Sequence, residues 1–107
     1  GYTIHDMDVR EYTANNKCPT SEWLETLDPV IRARIVNRVG RIRNGNFGDH
    51  KSVGDGVSEL RFSFGSGYRV YYGKDGNTIV ILLCGGDKSS QKIDIEKAKD
   101  YWRDYCA

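Results

Sequence analysis

The fold of this chain is decided by residues 54–91, GDGVSELRFSFGSGYRVYYGKDGNTIVILLCGGDKSSQ. The first part alternates apolar and polar residues with period two, as strands with one buried face do. Turns rich in glycine, at 65–67 and 75–76, divide the stretch into three successive strands. The third strand, Thr78 to Cys84, is apolar throughout, which predicts a central strand covered on both faces.

The alternation also assigns a side of the sheet to each residue. The apolar residues of the first two strands share one side, while Glu59, Arg61 and Arg69 share the other. A three-residue turn at 65–67 keeps the two apolar sets together and predicts that Arg61 lies across from Tyr71. The two arginines are then diagonal neighbours, about 7–8 Å apart.

The rest of the chain predicts one edge strand and three helices. The strand is expected within 2–13, with Tyr2 and Ile4 among its apolar anchors. Pro19 begins the first helix, and the pair Asp28-Pro29 caps and begins the second. The second helix has an apolar stripe at helical spacing: Ile31, Ile35, Val39 and Ile42. The closing helix has another: Ile95, Ala98, Trp102 and Tyr105.

The polar, glycine-rich connector at 46–55 is interpreted as a loop that leads into the sheet. The resulting order is β-α-α-β-β-β-α. It predicts an α+β domain that spans residues 1–107, with helices packed on one face of a small antiparallel sheet.

Length and composition bound the class of protein. The 107 residues suffice for one domain with one core, and no apolar run approaches membrane-spanning length or a signal peptide. Three cysteines without paired spacing favour a reduced, cytoplasmic protein, with Cys84 in the core. His5 and His50 lie far apart and no CxxC is present, so we expect neither a metal nor another cofactor.

The net charge of +1 hides an uneven distribution along the chain. Residues 1–28 carry −4, residues 29–74 carry +6 and residues 75–107 carry −1. The basic segment covers the second helix and the first two core strands, as expected of a surface that binds a polyanion such as RNA. For the arginines of the helix, a solvated face is the favoured interpretation: Arg32, Arg34, Arg38, Arg41 and Arg43.

Several motifs occur together in a fixed order: ELR at 59–61, GYRVYY at 67–72, LLCGGDK at 82–88 and DIEKA at 94–98. In this order they resemble the RelE/ParE toxin superfamily, and most closely its HigB-like, phage Gp49-like addiction-module killer proteins. The resemblance covers about residues 20–105. It implies a RelE-like fold and a small bacterial toxin that cleaves mRNA in the ribosomal A site. It also implies a partner, a HigA-like helix-turn-helix antitoxin.

The same resemblance assigns roles to basic residues. Arg69 matches the arginine that acts on the scissile phosphate, and Arg61 matches a basic sheet position that faces the substrate. Lys88 matches a basic residue in the loop after the last core strand, and Lys51 a basic residue of the connector. RNA carries its own nucleophile, the 2′-hydroxyl, so this chemistry needs positioned cations rather than a metal. Arg69 and Arg61 are expected to stabilise the phosphate, and Lys88 to protonate the leaving group or neutralise charge.

The sequence does not identify which residue acts as the general base. Glu59 shares its strand face with Arg61, so it fits a base and an ion-pair partner of the arginines equally well. Asp49 and His50 in the connector are weaker candidates for the same role, and His50 is also placed among the RNA-binding residues.

Two further residues have two interpretations each. Tyr71 is suited to stacking on an RNA base, or to plain packing within the sheet. Gln91 is suited to binding the substrate, or to capping the last helix.

Two other functions remain open. A toxin of the ParE type would block DNA gyrase by protein contact, and a cargo domain would bind RNA without cutting it. An Arg69→Ala variant is expected to abolish toxicity under the nuclease hypothesis. As a surface substitution it should leave the fold intact, within about 0.5 kcal/mol.

Overall fold

A computed structural model describes residues 6–107. Its strands are β1 Asp8–Glu11, β2 His50–Gly54, β3 Val57–Arg61, β4 Arg69–Asp75 and β5 Ile79–Gly86. Its α-helices are α1 Pro19–Glu25, α2 Pro29–Gly40 and α3 Gln91–Cys106, and two 3₁₀ turns are Arg41–Asn44 and Lys88–Ser90. Tyr2, Ile4 and His5 lie outside the described residues. Within 6–107 no helix is long and apolar enough to cross a membrane.

The five strands form one sheet in the order β1-β5-β4-β3-β2. The α+β class predicted from the sequence is confirmed, with two differences in the sheet. Strand β1 does lie at the edge, but it pairs with β5 in parallel, so the sheet is mixed. The connector interpreted as a loop contributes β2, which pairs antiparallel with β3 and forms the other edge.

Helices cover both faces of the sheet, where packing on one face was expected. Helices α1 and α2 cover one side, which we call the α2 face, and its core includes Ile35, Ile42, Leu60, Val70, Tyr72, Val80 and Leu82. Helix α3 covers the other side, the α3 face, and its core includes Val57, Tyr71, Ile81, Leu83 and Ala98. Because β5 is apolar on both sides, each side must be covered to remove it from water.

The two long helices form where the sequence placed them. The side chain of Asp28 accepts a hydrogen bond from the backbone N–H of Val30 at 2.9 Å, which caps α2 ahead of Pro29. The predicted apolar stripe of α2 faces the core, with Ile35 and Ile42 fully buried. Gly45 ends the following 3₁₀ turn with φ +79°, a conformation that glycine adopts without strain.

The hairpin between β3 and β4 has a longer loop than predicted. Arg61 pairs directly with Arg69, so residues 62–68 form the connection, closed by a hydrogen bond from the Phe62 N–H to the Tyr68 carbonyl at 3.0 Å. The predicted pairing of Arg61 with Tyr71 is therefore wrong by two residues. A shift of two leaves every side chain on its predicted side of the sheet.

Candidate active site

Two arginines of the sheet meet on the α3 face, at the end where α3 begins. Arg61 is the last residue of β3 and Arg69 the first of β4, and the two stand directly across from each other. Opposite residues of antiparallel strands are about 4.5–5.5 Å apart at their Cα atoms. The two guanidinium groups therefore stem from closer positions than the diagonal arrangement would give.

Arg69 is held from two sides. Its Nη1 donates to the carbonyl oxygen of Gly67 at 2.6 Å, and its Nε lies 3.5 Å from Oε2 of Glu59. The side chain is only 14% exposed. A guanidinium fixed in this way offers its remaining donors to a ligand with little further loss of conformational freedom.

Glu59 lies behind Arg69 and is 3% exposed. Besides the ion pair with Arg69, its Oε2 accepts a hydrogen bond from Nε2 of Gln91, the first residue of α3, at 3.2 Å. Of the two interpretations of Glu59, these contacts favour the ion-pair partner. They also place Gln91 as a link between α3 and the anchored arginine.

This burial corrects the expectation for Arg69→Ala. Truncating Arg69 leaves the carboxylate of Glu59 buried without its counter-ion, which typically costs 3–5 kcal/mol, whereas a surface substitution costs about 0.5 kcal/mol or less. The pair therefore stabilises the fold, and a functional test of Arg69 needs a variant that keeps the positive charge.

Arg61 is more exposed, at 39%, and is paired with Asp49 in front of β2. Its Nη2 and Nε lie 2.9 Å and 3.3 Å from Oδ1 of Asp49. The Asp49 side chain is 60% exposed, so this pair lies at the solvent boundary and is easily exchanged for another anion.

Lys88 lies near Arg69, and residues of the β3–β4 loop pack between them. Its backbone N–H donates to the Ser66 carbonyl at 3.3 Å. A Cβ atom added at Gly67 would lie 3.2 Å from Cβ of Lys88 and 3.4 Å from Nη1 of Arg69. Gly67, at φ +74°, therefore lets the loop pass between the two cations, and the exposed Lys88 side chain extends from this point.

Lys51 and His50 of β2 lie on opposite faces of the sheet. Lys51 pairs with Glu59, so it shares the α3 face, where its side chain is exposed. His50 pairs with Leu60 and therefore belongs to the α2 face, away from Arg69. Its Nδ1 lies 2.8 Å from the Gly48 carbonyl. The prediction that His50 joins the cations is thus not met.

Tyr71 is on the predicted face but is fully buried. Burial, together with the nearby Glu59 and Asp94 carboxylates, raises the pKa of its hydroxyl far above the usual value, so the group stays neutral. A base cannot stack on a ring that α3 covers, so the stacking role is inconsistent with the structure.

Arg38 belongs to this region although no sequence pattern predicted it. Arg38, on α2, donates to the carbonyl oxygens of Arg61, Phe47 and Asp49, the last at 2.6 Å. Burial lowers the pKa of this guanidinium from its usual value. Arg38 thus fixes the backbone on both sides of the Arg61–Asp49 pair. Its helical spacing matched that of the solvated arginines, so no sequence signal separated it from them.

Four cations therefore share this end of the α3 face, Lys51, Arg61, Arg69 and Lys88, together with four carboxylates, Asp49, Glu59, Asp87 and Asp94. The directly opposed guanidinium groups of Arg61 and Arg69 suit a phosphate group between them. Among residues 6–107, no three His, Cys, Asp or Glu side chains are grouped so as to hold a metal ion.

Comparison with known structures shows the class of fold. The Escherichia coli toxin RelE, in a doubly substituted variant in the free state, aligns with a TM-score of 0.65 and 14% sequence identity, over 89% of this chain and 97% of that one. The chain therefore has the fold of the RelE-like toxin superfamily.

Sequence comparison then gives the family. The chain belongs to the family described as Phage derived protein Gp49-like (DUF891), whose model matches residues 22–102. It is also similar to an uncharacterized protein of Haemophilus influenzae Rd, with 53% identity over 78 residues, or 72% of this chain and 79% of that protein. The family and fold inferred from the motifs are thereby confirmed.

Proposed function

We propose that this chain is the toxin of a type II toxin–antitoxin pair and that its α3 face cleaves mRNA without a metal. The observation that carries the proposal is the direct pairing of Arg61 with Arg69, with Lys88 beside them. The Gp49-like family and the RelE fold support the same conclusion.

The geometry suits attack by the 2′-hydroxyl on the adjacent phosphate, with the hydroxyl proton passing to the exposed carboxylate of Asp49 as Arg61 releases it. Arg69, anchored by Glu59 and Gly67, contacts the non-bridging oxygens, and Arg61 exchanges Asp49 for the same phosphate. Both stabilise the extra negative charge of the phosphorane, and one donor of this kind contributes about 2.7–4 kcal/mol to a rate. Lys88, exposed at the loop, donates a proton to the departing 5′-oxygen or neutralises its charge.

We assign Glu59 to positioning rather than to proton abstraction. A carboxylate that is 3% exposed and has two neighbouring donors cannot reach a 2′-hydroxyl without leaving Arg69. Its contribution is to keep the guanidinium in place before the substrate arrives. Lys51, across from Glu59 at the edge of the sheet, is proposed to bind a flanking phosphate.

The proposal includes the setting that the motif resemblance implies. The substrate is mRNA in the ribosomal A site, in the cytoplasm. The partner is a helix-turn-helix antitoxin of the HigA-like kind, encoded to neutralise the toxin.

The test is primer extension on an mRNA under translation in a reconstituted system. Arg69→Lys keeps a cation opposite Glu59 but loses the planar fork, and Arg61→Gln removes the second guanidinium. We expect either change to reduce the rate of cutting about 10²–10³-fold. Arg103→Ala, an exposed arginine of α3 paired with Asp100, is the matched control and should cut normally.

Two outcomes would overturn the proposal. One is cutting by both variants at the rate of the unsubstituted protein. The other is an intact message together with growth arrest in cells, which would direct attention to gyrase and make the arginine face a protein-binding surface.

A further inference from the structure

A second basic site lies on the α2 face. Four residues of α2 and the following 3₁₀ turn recur at the spacing of one helix face, and they line a groove of about 300 Å³ together with the exit of β3: Arg34, Asn37, Arg38, Arg41, Phe62, Ser63 and Phe64. No carboxylate lines the groove. Residues 29–48 contain five arginines and no acidic residue.

Two of the three guanidinium groups in the groove lie over aromatic rings. Cζ of Arg34 lies 3.8 Å from the ring centroid of Phe64, and Cζ of Arg38 lies 4.6 Å from that of Phe62. Arg38 is committed to backbone carbonyls, as described above. Arg34 and Arg41 are exposed and make no ion pair with any residue of the described chain. Two free cations therefore face the groove.

The groove adjoins the candidate active site through the end of β3. Phe62 directly follows Arg61, and Nη1 of Arg38 donates to the Arg61 carbonyl. The same strand end thus carries a guanidinium on the α3 face and an aromatic ring beneath arginines on the α2 face. A strand of nucleic acid that crosses this end of the sheet meets both sites in turn.

We propose that this groove binds single-stranded RNA next to the cleaved phosphate, with Arg34 and Arg41 on the sugar–phosphate backbone. The choice of RNA over an acidic protein rests on the stacked arrangement. A flat guanidinium held on a ring presents its other flat side to a nucleobase, while its edge donates to a phosphate. This inference rests on the proposed function, because the bound strand is the one that the α3 face cuts.

The test measures binding rather than cleavage. The Arg69→Lys variant serves as background, so that the RNA survives, and the probe is a labelled 12-nucleotide single-stranded RNA of mixed sequence. The dissociation constant is measured over a series of KCl concentrations. In this background we compare Arg34→Ala/Arg41→Ala with Arg10→Ala/Arg103→Ala. The second pair also removes two exposed arginines, and both of these are ion-paired outside the groove.

We expect the groove variant alone to show a weaker salt dependence. Removing one phosphate interaction with a single strand lowers the slope of log K against log salt by about 0.7, so removing two lowers it by about 1.4. Arg34→Lys should keep the slope and weaken binding several-fold at fixed salt, because lysine retains the charge but not the stacked plane.

Equal slopes for the two double variants would overturn the inference. So would a loss of affinity for a polyglutamate peptide with no change for RNA, which would make the groove a surface for an acidic protein. Failure of the proposed function has a different signature. Arg61→Gln and Arg69→Lys would then leave cleavage unchanged, whatever the salt slope of the groove variant.

Discussion

The pairing of Glu59 with Arg69 gives the sharpest prediction for stability. The side chains are 3% and 14% exposed, and Nε and Oε2 are 3.5 Å apart. Removing one partner of such a pair costs 3–5 kcal/mol. The long contact and the residual exposure of Arg69 favour the lower end, so we expect Glu59→Ala to lose about 3 kcal/mol. For a domain of this size the melting temperature should fall by about 12 °C.

A double substitution separates the loss of the pair from general disruption. In Glu59→Leu/Arg69→Met both charges are gone, so no uncompensated ion is buried, and stability should return to within about 1 kcal/mol of the starting protein. The measurement is urea unfolding and thermal circular dichroism at pH 7 for all variants. If Glu59→Ala cost less than about 0.5 kcal/mol, or if the double variant were as unstable as the single one, the anchoring role would be refuted.

The same residue is tested for catalysis by a pH profile. If Glu59 positions Arg69, Glu59→Gln should lower the cleavage rate at every pH. The acid limb, which is the rise of the rate with pH on the acidic side of the profile, should keep its shape. A general base would show a different result, since its removal abolishes that limb. The disappearance of the limb would therefore contradict the positioning role.

Three further predictions concern the rest of the molecule. Gly85→Ala should lose about 1–3 kcal/mol in urea unfolding, because the new Cβ would lie 2.2 Å from the indole of Trp23 in α1. In Gly40→Ala the new Cβ meets nothing within 4 Å, so this variant should gain about 0.5–1 kcal/mol. Equal shifts in the two variants would contradict this prediction. The hydrogen bond to Asp104 raises the pKa of Tyr12 to about 12, so the folded protein keeps a proton that the unfolded chain loses near pH 10. Stability should thus fall between pH 10 and 12, and less steeply in Tyr12→Phe; parallel curves of urea midpoint against pH would refute the assignment. Burial raises the pKa of the Cys84 thiol to about 12, so a thiol reagent at pH 8 should label Cys84 only after the protein unfolds. Mass spectrometry measures the labelling. Equal labelling of all three cysteines in the folded protein would contradict this prediction.

The sequence predicted the parts of the fold that rest on local periodicity. The faces of β3 and β4, the capped start of α2 and the stripe of α3 all follow from apolar spacing and turn residues. The register of the β3–β4 hairpin did not follow, because the loop is widened by two glycines at positive φ and by its contact with Lys88. That contact joins residues more than twenty positions apart, so no local pattern reports it.

The candidate site was predicted only in part for a similar reason. Residue type and motif order indicated Arg61, Arg69 and Lys88, and the structure brings these together. The burial of Tyr71 depends on where α3 docks, and helix docking is a tertiary property. The role of Arg38 depends on three carbonyl groups contributed by the connector and β3, which share no sequence pattern with α2.

The parallel pairing of β1 with β5 bears on how the protein is made. Asp8 pairs with Ile79, a partner 71 residues later in the chain. At a synthesis rate of 5–20 residues per second, β1 waits about 4–14 s for its neighbour to be translated. Lys88 and Gln91 follow still later. A ribosome that makes this chain therefore completes most of it before the complete sheet and its α3 face can assemble.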